Sequence, residues 1–148
     1  ANHYPSNFKA SHDKYTRMLK KHEKKDIFNK IDNISQKLEK YPVKNGNLYI
    51  KYFHSYDDFC DIGKKLDNCV ARMNYDKEMA KGECIIFGIY KENDPVECVE
   101  INTKNYSVQQ CRGYNNKDSE YHQTCLEMCN EFLRHKIAIK RIIKEVCV

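Results

Sequence analysis

Between Cys84 and Arg112 the chain reads as three consecutive strands joined by short turns, and this stretch limits the fold more than any other. Cys84-Ile85-Ile86-Phe87-Gly88-Ile89-Tyr90 is an apolar run, Glu92-Asn93-Asp94-Pro95 a turn, and Val96-Glu97-Cys98-Val99-Glu100-Ile101 a second strand. Lys104-Asn105 turns the chain again into a third strand, Tyr106 to Arg112, which Gly113 ends. Connections this short return each strand antiparallel to the last. The first strand is apolar on both of its faces, so it is predicted to be central or covered on both sides.

Helices are predicted on either side. Residues 6–40 contain no glycine and no internal proline, and Ile27, Ile31, Ile34 and Leu38 recur at helical spacing. Tyr15, Met18, Leu19 and His22 make a second, weaker stripe. The polar stretch Lys20 to Lys25 parts the two, which implies two helices or one helix that packs on two surfaces. Pro42 and Asn45-Gly46 mark a turn, and Leu48 to His54 reads as a strand. Ser55, with Asp57 and Asp58 behind it, caps a helix running to about Leu66. A short helix from Met73 to Lys81 stops at Gly82. Asp118 or Ser119 is expected to cap a helix from about Glu120 to His135, and an amphipathic segment with Leu133, Ile137, Ile143 and Val146 follows it.

The expected fold is therefore α+β. A three-stranded antiparallel meander at about 84–112, with the strand at 48–54 as its candidate extension, packs against N-terminal and C-terminal helices. A chain of 148 residues fits one domain. Its expected parts are a helical segment at 1–40, an α+β core at 48–135 and a basic amphipathic tail at 136–148. No apolar run is long enough to cross a membrane. The eight cysteines sit largely in apolar periodic segments, where a reduced thiol acts as a small hydrophobe. Reduced thiols and the lack of a leader-like apolar stretch at the start lead to a cytoplasmic expectation. The first residue is Ala rather than Met, which predicts a piece of a longer protein.

Charge is unevenly spread. Residues 1–47 hold eleven Lys/Arg against five Asp/Glu, residues 48–132 ten against fifteen, and residues 133–148 five against one. Lys20, Lys21, Lys24 and Lys25 form one basic cluster, and Lys136, Lys140, Arg141 and Lys144 another. Such clusters suit the phosphates of DNA or RNA. They equally suit basic helices that dock on an acidic core, or on the remainder of a longer parent chain. The five glycines are isolated, so there is no glycine-rich phosphate loop.

Several residue sets bear on chemistry. Glu100 is a carboxylate within an apolar strand, and Gln110 and Arg112 fall in the next strand. Glu100 and Gln110 could orient a ligand or water together; alternatively Glu100 pairs with Arg112 or lies on a wet face. Cys69 would need a base such as His54 or His122 to act as a nucleophile, and is otherwise a structural thiol. His122, Cys125 and Cys129 follow an i, i+3, i+7 pattern that suits zinc, yet the same spacing arises on a core-facing helix, so no metal and no cofactor is expected.

Tyr4-Pro5-Ser6-Asn7-Phe8-Lys9-Ala10-Ser11-His12-Asp13, Leu66-Asp67-Asn68-Cys69-Val70, Met79-Ala80-Lys81-Gly82-Glu83-Cys84-Ile85-Ile86-Phe87, Pro95-Val96-Glu97-Cys98-Val99-Glu100-Ile101 and Val108-Gln109-Gln110-Cys111-Arg112-Gly113-Tyr114-Asn115-Asn116 occur in that order. Together they resemble the PcfJ-like proteins of conjugative plasmids, phages and related mobile elements. The resemblance implies a mobile-element setting and a C-terminal portion of a longer protein, and it carries no established reaction. The family's polar landmarks fall on Cys69, Tyr75, Glu100, Gln110, Gly113 and Asn116. Where the family tends to show His-Cys-Val, this chain has Asn68-Cys69-Val70.

Three functional expectations follow. The first is a binding module that contacts nucleic acid or a protein through its basic helical ends. The second is an enzyme acting on nucleotide or nucleic acid, with Cys69, Tyr75, Glu100, Gln110 and Asn116 in one site. The third is a domain that docks on the rest of its parent chain through the stripe on its N-terminal helices.

Overall fold

The computed structural model describes residues 6–147. Elements run in the order α1 (Ser6–Glu23), α2 (Lys25–Leu38), β1 (Lys44–Asn45), β2 (Leu48–Tyr52), α3 (Tyr56–Leu66), α4 (Tyr75–Ala80), β3 (Cys84–Lys91), β4 (Asp94–Asn102), β5 (Ser107–Arg112), a 3-10 turn (Tyr114–Asn116), α5 (His122–Leu133) and α6 (Lys136–Cys147). The strands form one antiparallel five-stranded sheet in sequence order, so the expected meander forms and the strand after residue 48 extends it. β3 is the middle strand and is buried from Cys84 to Tyr90.

Several boundaries differ from expectation. β1 was not foreseen: its two residues are both exposed, and no hydrophobic alternation marks them. Pro95 lies inside β4 rather than in the turn before it. The proline is accommodated because β5 pairs with β4 only from Cys98 onward, leaving residue 95 without a neighbour on that side. Neither Asp118 nor Ser119 caps α5, which starts at His122 after Tyr121. Ile137 is exposed, whereas Ile139 and Ile142 of α6 are buried and Ile143 and Val146 pack half-buried against the core.

The two faces of the sheet are covered by different helices. On one face Phe87 and Tyr52 meet Phe132 of α5, with ring centroids 5.0 and 6.0 Å apart. On the other, α3 lies against β4, and Ile62 approaches β3 at Gly88. A side chain at Gly88 would collide with the Tyr90 ring and meet Ile62 at 3.0 Å, so the glycine is what lets helix and ring share this face. Ser55 caps α3 with a reciprocal hydrogen-bond pair to Asp58, as its sequence predicted.

α1 and α2 are separate helices that bend at Lys24, the position where the polar stretch divides the two stripes. Phe28, Ile31, Ile34 and Leu38 are buried on α2, with Ile27 at the edge of that stripe. The stripe on α1 stays open: Tyr15 is 60%, Met18 58% and Leu19 46% exposed. α6 packs on α2, so the C-terminal basic segment is docked rather than trailing.

Candidate functional site

A cleft opens on the α3 face of the sheet, between β4 and β5 and the loop joining α3 to α4. Asp67 ends α3 in a left-handed conformation. The Oδ1 of Asn68 accepts the Val70 N–H at 3.1 Å, and the Cys69 carbonyl accepts N–H groups of Arg72 and Met73 at 3.0 Å. This turn holds exposed Cys69 above the sheet. Tyr75 enters from the first turn of α4.

From the sheet come Glu100 and Gln110, which are direct partners across β4 and β5. The register shifts immediately beyond them, where Ile101 pairs with Val108 and leaves Gln109 as an extra residue. A bulge at such a place bends the strand and re-aims its side chains. Asn116 follows in the loop after β5, with positive φ like Asn115 before it. All five side chains named from the sequence (Cys69, Tyr75, Glu100, Gln110 and Asn116) therefore line one cavity, with Asn68, Ile86, Cys98 and Arg112 among its other walls. Gly113 completes the set of landmarks in another way, since a side chain there would lie 3.0 Å from the Val96 carbonyl oxygen.

The cavity is small, about 40 Å³. Since one water needs roughly 10–15 Å³, it holds a few waters or one small polar group, whereas drug-sized ligands occupy roughly 300–1,000 Å³. It opens beside a shallow depression that shares Tyr75, Glu100 and Gln110 and adds Glu78, Glu83 and Lys104.

Burial and the neighbouring Glu78 carboxylate push the Glu100 carboxyl above its usual range. Burial first, and then the Glu100 charge, raise the Tyr75 hydroxyl. The same two causes push the Cys98 thiol up to about 12. The site thus favours neutral groups that can donate as well as accept hydrogen bonds. Arg112 does not offset Glu100: its guanidinium lies 2.6 Å from Asp118, so the expected Glu100–Arg112 pair does not form. Among the described residues no histidine lines the cavity. His54 is held instead by Asp32 and Glu39, and His122 by Glu97, so neither serves Cys69 as a base.

The two basic clusters have different fates. Lys20 pairs with Glu23 at 3.6 Å, Lys21 with Asp57, and Lys24 with buried Asp76 at 2.7 Å. Lys25 is exposed. On α6, Lys136, Lys140, Arg141 and Lys144 are all exposed and make no ion pair among the described residues; the acid on their helix, Glu145, is taken by Lys37 at 3.1 Å. Lys40 and Arg141 line one groove of about 200 Å³ between α2 and α6.

The zinc-like trio of the sequence is rearranged. His122 joins Glu97 and Cys111, while Cys125 and Cys129 are fully buried in the core behind them. Glu78, Cys84 and Glu100 form a second group of close donor atoms, within 4.8 Å of one another. Glu97 was missed as a site residue, although its phase along β4 matches that of the core residues Val99 and Ile101. A carboxylate in phase with two core residues is the signal that marks it.

A five-stranded antiparallel sheet flanked by helices makes the fold α+β, and the family follows from comparison. The chain matches the family model described as PcfJ-like protein over residues 1–126, and it belongs to that family. No curated protein and no solved structure matches it. The cavity residues lie inside the matched span and α6 lies beyond it.

Proposed function

We propose that this PcfJ-like chain is a nucleic-acid-binding module of a mobile-element protein, and that it grips the phosphate backbone with α6 and the end of α2. The observation that carries this reading is the set of four exposed α6 cations without acidic partners among the described residues. At about 100° per residue, these four fall within an arc of about 140° on the helix face away from the core. Lys40, in the turn just after α2, lines one groove with Arg141 and extends the patch there. Binding of this kind needs a charged surface and no deep pocket.

The test is mobility shift with single- and double-stranded DNA and RNA over a salt series. Four phosphate contacts give a slope of about −3.6 in log affinity against log salt on duplex DNA, or about a 10²-fold loss between 50 and 200 mM. Reversing Lys140, Arg141 and Lys144 to Glu should abolish the shift. Binding that survives this triple reversal would remove α6 from the interface.

The convergence of Cys69, Tyr75, Glu100, Gln110 and Asn116 favours a second reading, an enzyme acting on nucleotide or nucleic acid. Glu100 would transfer a proton, while Gln110 orients the reacting group. The cavity admits that group alone, so the rest of such a substrate would lie in the open depression outside. Incubation with labelled oligonucleotides, wild type against Glu100→Gln, tests it: turnover lost in the variant while binding persists supports this reading, and a wild type that leaves every substrate intact rejects it.

A further inference from the structure

The opposite face of the sheet holds a polar cluster that neither reading uses. Glu97 is wholly buried at the middle of β4. One of its oxygens accepts the Cys111 thiol at 3.1 Å and lies 2.8 Å from His122 Nδ1. The other accepts the Ser119 N–H at 3.1 Å and the Ser119 hydroxyl at 2.5 Å. The donor atoms of Glu97, Cys111 and His122 all lie within 4.8 Å of one another.

We propose that Glu97, Cys111 and His122 bind a divalent cation of the zinc class. Carboxylate, thiolate and imidazole are the ligands this ion takes, and three protein ligands or more define its sites. Bond lengths of about 2.0–2.3 Å around a tetrahedral ion set its donor atoms about 3.3–3.8 Å apart. The two separations from the Glu97 oxygen, 3.1 and 2.8 Å, are shorter than this, as expected for hydrogen bonds where no metal is held. The Cys111 sulfur and His122 Nδ1 both face the same Glu97 oxygen.

On binding, the Cys111 proton leaves to solvent and neutral His122 carries its remaining proton on Nε2, where Asp118 lies 3.6 Å away. That carboxylate would orient the ring as outer-shell acids commonly do. Ser119 would keep its hold on the second Glu97 oxygen. The His122 side chain is 21% exposed, which gives the ion a way in. The ion would tie the loop after β5 and the start of α5 to the sheet.

The test uses the full chain, reduced and stripped of metal. Cobalt(II) titration should produce a thiolate-to-metal charge-transfer band and the strong visible bands of a four-coordinate ion, saturating at one per chain, and zinc should bleach both. Cys111→Ser should remove the charge-transfer contribution of that thiolate and weaken cobalt binding. His122→Ala should weaken binding by more than the roughly 10–100-fold expected on losing an outer-shell partner, as in Asp118→Asn. Cys84→Ser, which alters the other donor group, should leave the spectrum unchanged. A wild-type chain that binds neither ion at micromolar concentration overturns the proposal, and so does a spectrum that survives Cys111→Ser but is lost in Cys84→Ser.

Discussion

Glu100 and Glu97 sit three residues apart on one strand and face opposite sides of it, and their surroundings set them opposite tasks. Glu97 has donors on both oxygens, whereas Glu100 has burial and a like charge. A carboxyl whose folded pKa is raised binds more protons in the native state than in the unfolded one. Stability therefore falls as pH rises through the window between the unfolded and the folded value. Glu100→Gln removes that loss. The variant should be more stable than wild type at neutral pH, with the gain vanishing below the usual carboxylate range, as urea denaturation across pH would read. Equal stability at every pH would mean that Glu100 is solvated in the native chain. A residue that costs stability where a neutral isostere would not is the kind retained for a task. Glu100 was legible from the sequence because a carboxylate interrupts an apolar strand. Its environment was not, since Glu78 reaches it from α4 through the tertiary fold.

At the scale of elements, short-range patterns were readable and long-range pairings were not. The β3–β4–β5 meander follows from apolar runs and turns only a few residues long. β1 carries no pattern, and its pairing depends on the turn at Gly46. The cleft needed the bulge at Gln109 and the loop from Asp67 to Asn74, neither of which leaves a periodic trace. Gly82 shows how one residue can position an element distant in sequence. Its φ is +80°, and a side chain there would lie 2.7 Å from the Ile143 Cγ2 and 3.2 Å from the Cys147 Cβ of α6. Gly82→Ala should cost about 1–2 kcal/mol from left-handed backbone alone. It should also loosen α6, so amide exchange ought to quicken in α6 more than in β3 or β4. Uniform quickening across the sheet would instead show that α6 and the core open together.

Over the whole molecule, the uneven charge distribution divides into two physical roles. The N-terminal cations face the acidic middle of the chain: Arg17 lies 3.5 Å from both Asp57 and Asp61, Lys21 meets Asp57, and Lys24 meets Asp76. The C-terminal cations have no such partners among the described residues. Docking on an acidic core thus accounts for Arg17, Lys21 and Lys24 at one end, while the cations of the other face outward. The exposed pairs of α1 contribute little, about 0–1 kcal/mol each. The Lys24–Asp76 pair differs, because Asp76 is only 3% exposed and sits in the helix that opens onto the cleft. Removing one partner of a buried pair typically costs about 3–5 kcal/mol. Lys24→Glu, which adds a second negative charge against Asp76, should lose at least that much in a denaturant titration. Single reversals at Lys140, Arg141 and Lys144 should each stay within about 0.5 kcal/mol of wild type, as surface changes usually do. The contrast decides how binding data are read: a loss of nucleic-acid affinity in Lys24→Glu would report a damaged fold, whereas the same loss in the α6 variants would report the interface. If Lys24→Glu proves as stable as wild type, the N-terminal helices are not held by charge, and Lys20, Lys21, Lys24 and Lys25 return as candidates for phosphate contact.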